Sequence, residues 1–174
     1  PYFPDGELAE MALAFPKKMS ELGHEIRAFM PRFGTINERR HQLHEVIRLS
    51  GINVVINDYD QPLIIKVASV PGARIQVYFI DNEEYFKRKG TWEDAQGTFY
   101  DDNGARALFF SKSIIETIKK LGWQPDVVHV MGWMSTPLPV YLRQFHGDDP
   151  HFAGTKVVYS RFDNGFAGQL DPGM

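Results

Sequence analysis

The residue types that could do chemistry at one point stand in Asp126–Trp133, DVVHVMGW. Val127, Val128 and Val130 form a β-branched run that stops at Gly132. Ser135 and Pro137 follow, an N-cap residue and a proline suited to a first helical turn. The pattern reads as a buried strand, a tight turn and a helix. In open α/β sheets, ligands bind outside the carboxyl ends of such strands. His129, Met131, Gly132 and Trp133 therefore fall where a site would lie. The same pattern also suits a plain core strand holding a buried neutral histidine.

Other candidate groups are weaker. His41 and His44 lie three apart in a basic segment with Arg39 and Arg40, which reads as solvated surface. His24, His146 and His151 have no partner at metal-ligand spacing, so no metal site and no cofactor is expected. Glu83–Glu84 and Asp101–Asp102 flank turns and are not placed for paired-carboxylate hydrolysis. Trp92, Phe99 and Tyr100 sit in a polar loop, where they either stack on a sugar or partner or fold back onto the domain.

The totals narrow the class. The chain has 174 residues, enough for one domain with a sizeable core. Its net charge of −3 gives no basic field for nucleic acid or anionic lipid. The absence of cysteine excludes disulfides and thiol catalysis, and suits a cytoplasmic protein. No apolar run approaches a membrane span, and no signal peptide is visible. The chain opens at Pro1 without a methionine, which reads as a fragment of a longer protein.

PYFPDG at Pro1–Gly6 is a loop by composition. A helix from Glu7 follows, with Leu8, Met11, Phe15, Met19 and Leu22 on one apolar face, a kink at Pro16 and Gly23 at its end. Its N-terminus could hold a phosphate or be only a connection. Glu25–Met30 reads as a strand stopped by Pro31. Asn37–Leu43 is a short helix or loop. Glu45–Leu49, Ile52–Ile56 and Leu63–Val70 form an antiparallel meander with turns at SG and NDYDQP. In Arg74–Ile80, Ile75, Val77 and Phe79 point inward and Gln76 and Tyr78 outward. Glu83–Lys89 is a short helix and Gly90–Asp102 a loop. A long helix capped by Asp102 or Asn103 runs to Leu121, with Phe110, Ile114, Ile118 and Leu121 as its stripe. The DVVHVM strand, a helix and a last strand at Thr155–Ser160 complete a βαβ rhythm, and Phe162–Met174 reads as a mobile tail. The fold class is α/β: a Rossmann-like, mostly parallel sheet with an antiparallel β insertion. A doubly wound domain normally begins with a strand. Either its first strand is missing or the sheet is one strand short.

Three stretches carry a family resemblance: LGHEIRAFMPRFGTI at Leu22–Ile36, VYFIDNEEYFKRKG at Val77–Gly90, and DDNGARALFFSKSIIETIKKLGWQPDVVHVMGWMSTPLPVYL at Asp101–Leu142. With a looser match over Pro1–Leu22 they cover most of the chain in order. The chain resembles the N-terminal catalytic domain of bacterial glycogen (starch) synthases, retaining glycosyltransferases of the GT-B fold, and looks closest to a divergent Bacteroidetes-type branch. The resemblance implies transfer of glucose from ADP-glucose or UDP-glucose to an α-1,4-glucan, with retention and without a metal. It implies that residues 1–174 are one N-terminal lobe. It further implies a C-terminal domain, absent here, that carries most of the nucleotide-binding groups. The isolated lobe is then expected to be inactive, because it cannot close a cleft and exclude water. An exposed sheet edge left by a missing strand could recruit a second copy, so a homo-oligomer is conceivable.

The resemblance assigns catalytic places to His129, Asp81 and Tyr85, and substrate-binding places to Gly6, Glu10, Arg88, Gly132 and Trp133. Asp81, Tyr85 and Arg88 keep the family's Asp…Tyr-x-x-Arg pattern near the acceptor cleft. Elsewhere the pattern departs. The family's Lys-x-Gly-Gly-Leu falls on Pro4–Leu8, with proline at the lysine and Glu7 at the second glycine. That removes a cation near the phosphates and adds a carboxylate where close backbone approach is wanted. The family's His-Cys-His-Asp-Trp falls on His129–Trp133, with Met131 at the second histidine and Gly132 at the aspartate. A thioether neither donates a strong hydrogen bond nor carries charge. Val157–Ser160 aligns with Thr-Val-His-Asn, again without the histidine. Three readings follow: a divergent active synthase, a degenerate homologue that binds glucan or nucleotide-sugar without turnover, and a partner-binding module supported only by the aromatic loop.

Overall fold

The computed structural model describes residues 2–3 and 6–162. Pro4, one of the departures noted above, and most of the expected tail lie outside the described residues. Contacts divide the chain into two compact units, Pro1–Ile52 with Pro62–Tyr100, and Asn53–Gln61 with Asp101–Met174. In chain order the elements are α1 (Glu7–Glu21), β1 (Arg27–Pro31), β2 (His44–Glu45), β3 (Ile52–Ile56), β4 (Tyr59–Ser69), β5 (Gln76–Asp81), α2 (Glu83–Phe86), α3 (Asn103–Leu121), β6 (Val127–Met131), α4 (Pro137–Gln144) and β7 (Lys156–Ser160).

In the first unit, β1 pairs β5 in parallel, with Arg27 opposite Gln76 and Pro31 opposite Ile80. β5 pairs β4 antiparallel and β4 pairs β2, so the sheet order is β1-β5-β4-β2; β3, which from Asn53 on is counted with the second unit, pairs β4 off this path. β5 thus has a neighbour on each side. Leu63, Ile65, Phe79, Ile80 and Phe86 are fully buried there. The expected outward turn of Tyr78 does not occur. Its ring is buried and stacks on Phe29 at 5.2 Å, because a central strand is covered on both faces.

The insertion differs in detail from its sequence pattern. Glu45–Leu49 is not a strand: only His44–Glu45 pairs, and the chain then folds into a turn. Ser50 explains this, since its hydroxyl donates to the Val46 carbonyl and accepts from the Ile65 N–H, replacing ladder bonds with side-chain ones. The expected NDYDQP turn shrinks to Asn57 and Asp58, both with positive φ, a two-residue hairpin turn. Pro31 is the last residue of β1 rather than the residue that follows the strand. β1 has one partner among the described strands, and a proline is tolerated on such an edge.

Helix α1 runs through Pro16 to Glu21. Its expected apolar face forms no core: no residue of the helix is buried, and Met11, Leu13 and Phe15 are exposed. In the second unit, α3 ends on Gly122 in the left-handed conformation, and Phe110, Ile114 and Ile118 are buried as the stripe requires. β6 and β7 form a two-stranded parallel sheet of their own, with Val127 opposite Lys156 and Met131 opposite Ser160. The strand read as buried is only partly so: Val130 is 2% exposed but Val127 is 51% exposed. Ser135 does not cap α4. It lies in a 3-10 turn at Trp133–Ser135, and its hydroxyl donates back to the carbonyls of Met131 and Gly132, leaving Thr136 at the cap position.

Candidate functional site

Asp81 ends β5, at the carboxyl end of the parallel β1–β5 pair. It is 2% exposed. Its two oxygens are both engaged: Arg32 Nε donates to Oδ1 at 2.9 Å, and Lys66 Nζ approaches Oδ2 at 2.9 Å. Lys66 also reaches Glu38 at 2.8 Å, and Arg32 lies 3.4 Å from the same Glu38 oxygen. Two cations and two carboxylates thus close a network drawn from β4, β5 and the segment after β1. Burial lowers the Lys66 pKa, but its hydrogen bonds to Glu38 and Asp81 outweigh burial and hold it above the ordinary lysine value. Spacing could not reveal this network, since Arg32 and Asp81 lie 49 residues apart.

The next residue begins the turn that carries Tyr85 and Arg88. Asn82 caps α2 by accepting from the Tyr85 N–H at 3.0 Å. Tyr85 is buried, while the Arg88 guanidinium donates to the Glu84 carbonyl and lies 4.6 Å from the Tyr100 ring centroid. Gly34 donates its N–H to the Phe86 carbonyl at 2.7 Å. A Cβ on Gly34 would stand 2.2 Å from the Arg88 carbonyl oxygen, so only glycine allows the approach. Trp92, Phe99 and Tyr100 are half-buried, and Trp92 packs 5.6 Å from Phe3. These aromatics are folded back, which removes the observation that favoured a partner-binding module.

Gly6 precedes α1 with φ 143, and Glu10 donates its N–H to the Gly6 carbonyl. Glu7 and Glu10 occupy the first turn and are exposed. Two carboxylates there already complement the helix dipole and oppose a phosphate.

In the second unit, His129 is the middle residue of β6, opposite Val158 of β7. Its Nε2 lies 2.8 Å from Ser160 Oγ. The ring is half-buried, and burial pushes its pKa below the ordinary histidine value, so it is neutral at pH 7. Gly132 follows with φ 78 and ψ 172, a conformation open in practice only to glycine. Its N–H donates to the Ser160 carbonyl at 3.3 Å. Trp133 is half-buried and opens the 3-10 turn that leads into α4. A third group of polar contacts fastens the segment after α4: Asp149 accepts from Lys119 Nζ at 2.7 Å, and His151 Nε2 lies 2.7 Å from the Trp123 carbonyl oxygen. Among the described residues, no three His, Cys, Asp or Glu side chains are grouped to hold a metal ion. No helix among them is long and apolar enough to cross a membrane.

The structure therefore groups Asp81 with Tyr85 and Arg88 in one unit, and His129 with Gly132 and Trp133 in the other. Ser160, Arg32, Lys66 and Glu38 are the residues that sequence reading did not single out as site residues.

Parallel strands running into helices, with an antiparallel elaboration between them, define a mixed α/β fold. The arrangement matches the catalytic domain of starch synthase IV from Arabidopsis thaliana bound to ADP and acarbose, with a TM-score of 0.78 over 92% of this chain and 31% of that one, at 16% identity. The fold is that of the GT-B starch synthase catalytic domain. The chain belongs to the family described as the starch synthase catalytic domain, whose model matches residues 1–173. It is 38% identical over 159 residues to a glycogen synthase of Chlorobium luteolum, covering 91% of this chain and 32% of that protein. A glycogen synthase of Chlorobaculum tepidum is also 38% identical over 159 residues, covering 91% of this chain and 33% of that protein. The chain spans about a third of the length of the curated relatives it matches.

Proposed function

We propose that residues 1–174 form the N-terminal, acceptor-side lobe of a glycosyltransferase that moves glucose from ADP-glucose or UDP-glucose to an α-1,4-glucan with retention and without a metal. The observation that carries the reading is the family match along residues 1–173. In this reading His129 and Trp133 face the transferred sugar. Tyr85 and Arg88 border the acceptor, Gly6 and Glu10 lie toward the donor, and Asp81 holds the acceptor border in place through its ion pairs. His129, neutral at pH 7, offers the sugar a hydrogen bond rather than a charge. The remaining nucleotide-binding groups come from the rest of the longer protein, so the lobe alone transfers nothing.

The test is incorporation of labelled glucose into glycogen by the full-length polypeptide and by residues 1–174. Transfer by the first and none by the second is expected. Transfer by the isolated lobe would sink the division of labour. Met131 and Gly132 favour one alternative, a homologue that binds glucan without turnover. Glycogen retention by a full-length protein that transfers no glucose would select it.

A further inference from the structure

Between Gly90 and Tyr100 the chain doubles back on itself. Glu93 bridges Phe99 antiparallel, the Tyr100 N–H donates to the Trp92 carbonyl at 3.0 Å, and the Asp94 N–H donates to the Thr98 carbonyl at 2.9 Å. At the tip, Asp94 Oδ1 accepts the N–H groups of Gln96 and Thr98 at 2.9 Å each, and Gly97 supplies a φ of 80. The base closes on a glycine: a Cβ on Gly90 would collide with the Glu93 carbonyl oxygen and stand 3.0 Å from the Tyr100 hydroxyl. The loop therefore returns Tyr100 to the segment that leaves α2.

Arg88 stands in that segment, and its guanidinium carbon lies over the Tyr100 ring, 4.6 Å from the centroid. The face of an aromatic ring is the negative part of its quadrupole, so it attracts the cation. Arg88 Nε and Nη2 also donate to the Glu84 carbonyl, at 3.3 and 3.0 Å. The backbone beneath is fixed as well: the Arg88 N–H donates to the Phe86 carbonyl at 2.8 Å, and Gly34 packs against the Arg88 carbonyl. All of these residues belong to the first unit. A solvated arginine samples many rotamers, and a ligand that touches it must bear the entropy of ordering it. A ring that already holds the guanidinium removes part of that cost before the ligand arrives.

We propose that Tyr100 is a positioning residue for Arg88: its ring, carried on the loop that Gly90 closes, holds the guanidinium over one face and so presets the acceptor border. The consequence for glucan binding rests on the sugar-transfer reading. The holding itself is a property of the folded chain.

Two readouts on the full-length polypeptide test it. The first is the Nε–Hε correlation of Arg88 in protein labelled with nitrogen-15, recorded at mildly acidic pH where the proton exchanges slowly, and assigned by its loss in Arg88→Met. The ring current of Tyr100 should displace the Hε signal upfield in the parent. Tyr100→Leu should return it toward the ordinary arginine position, and Tyr100→Phe, which keeps a ring face, should leave it displaced. The second readout is glucose transfer to glycogen. Tyr100→Leu should raise the glucan KM about threefold, the scale of one exposed cation–π contact, with kcat and donor KM little changed. Tyr100→Phe should stay nearer the parent than Tyr100→Leu. In an Arg88→Met background Tyr100→Leu should add nothing further, because its effect passes through the guanidinium. A ring that merely supports the loop would add its full cost there.

An Arg88 signal that does not move in Tyr100→Leu overturns the proposal. So does a Tyr100→Phe variant as perturbed as Tyr100→Leu in both readouts, or full additivity with Arg88→Met. If the parent transfers no glucose, the sugar-transfer reading falls and the kinetic arm with it. If the parent is active but Arg88→Met leaves the glucan KM unchanged, the acceptor place of Arg88 falls. In either case the Arg88 signal still decides whether Tyr100 holds the side chain.

Discussion

The carboxyl ends of β5 and β6 solve the same problem in opposite ways. At β5 the candidate carboxylate is saturated: Asp81 meets Arg32 and Lys66 at 2.9 Å each, and Glu38 balances the second positive charge. At β6 no charge is involved. A neutral histidine, a serine and a glycine are held by one contact of 2.8 Å and one of 3.3 Å. A buried ion cannot lose its partner without a large penalty, whereas a neutral hydrogen bond is worth about 1 kcal/mol net. The β5 end is therefore a structural fixture whose removal threatens the fold. The β6 end can be altered without unfolding the chain. This contrast fits the departures from the family pattern. The Asp…Tyr-x-x-Arg residues remain, and the substitutions of histidine and aspartate fall in the neutral corner, at Met131 and Gly132.

The largest expected effect tests that contrast directly. Asp81→Ala leaves Arg32, 6% exposed, beside an empty place where its carboxylate stood. The loss should be about 3–5 kcal/mol by urea denaturation, the scale for breaking one side of a buried pair. A loss below about 1 kcal/mol would mean that the network is screened like a surface pair and the contrast is false. Its pH dependence has a definite sign. The Lys66 pKa is raised on folding, so its contribution is fully present below the unfolded lysine value and is lost as pH rises through the higher folded value. Alkaline melts should therefore narrow the gap between the parent and Lys66→Met.

Next in size are two glycines that play different parts. Gly34→Ala drives a Cβ to 2.2 Å from the Arg88 carbonyl oxygen, so the turn bearing Tyr85 and Arg88 must move. Thermal melts should show a cost of about 1–3 kcal/mol, as for overpacking. Gly132→Ala meets strain of its own backbone, at φ 78 and ψ 172, of about 1–3 kcal/mol. The first variant should disturb aromatic signals from Tyr100, the second the ring of His129. If either disturbed the other's reporter, the two ends would not be independent.

Much of this was legible in the chain, and the misses have physical causes. β3, α3, β6 and β7 follow their β-branched or helical periodicity, and Gly122 marks the end of α3. The valine run that stops at Gly132 reads as a strand and its end, and β6 does end at Met131, with His129 in its middle and Gly132 and Trp133 just beyond it. The failures occur where side chains compete with the backbone. Ser50 turned an expected strand into a turn, and Ser135 bonded backward instead of capping α4. Alternation points Tyr78 outward because it presumes one solvated face, and beyond Gln76 every residue of β5 is buried. The Asp81 network was invisible because its members are far apart in sequence and meet only when β4 and β5 pair.

A smaller effect comes from His129. Its pKa is lowered on folding, so the folded chain resists the protonation that the unfolded chain accepts. Stability should decline as pH falls through the unfolded histidine value toward the lower folded one, and be level above it. His129→Gln should flatten that acid limb in melts between neutral and mildly acidic pH. A limb unchanged by the substitution would assign it to another group.

The smallest effect sharpens the comparison, because it asks whether burial rather than charge makes the β5 network matter. Asp149 carries similar chemistry near the surface: Lys119 Nζ lies 2.7 Å from Oδ2, the His151 N–H donates to Oδ1 at 2.9 Å, and His146 Nδ1 stands at 3.4 Å. The Lys119 hydrogen bond, then the His151 N–H, hold its pKa down at about 2. That contribution is present above the unfolded carboxylate value and is lost as pH falls toward about 2. Exposed pairs are screened by salt and deliver little net stability. Asp149→Asn should therefore shift the melting temperature only slightly, and the shift should vanish at high salt. The Asp81→Ala deficit should persist there. A carboxylate with so low a pKa that is nevertheless nearly dispensable would show that proton affinity and fold stability are set by different surroundings: the first by the nearest donors, the second by how much water the group has lost.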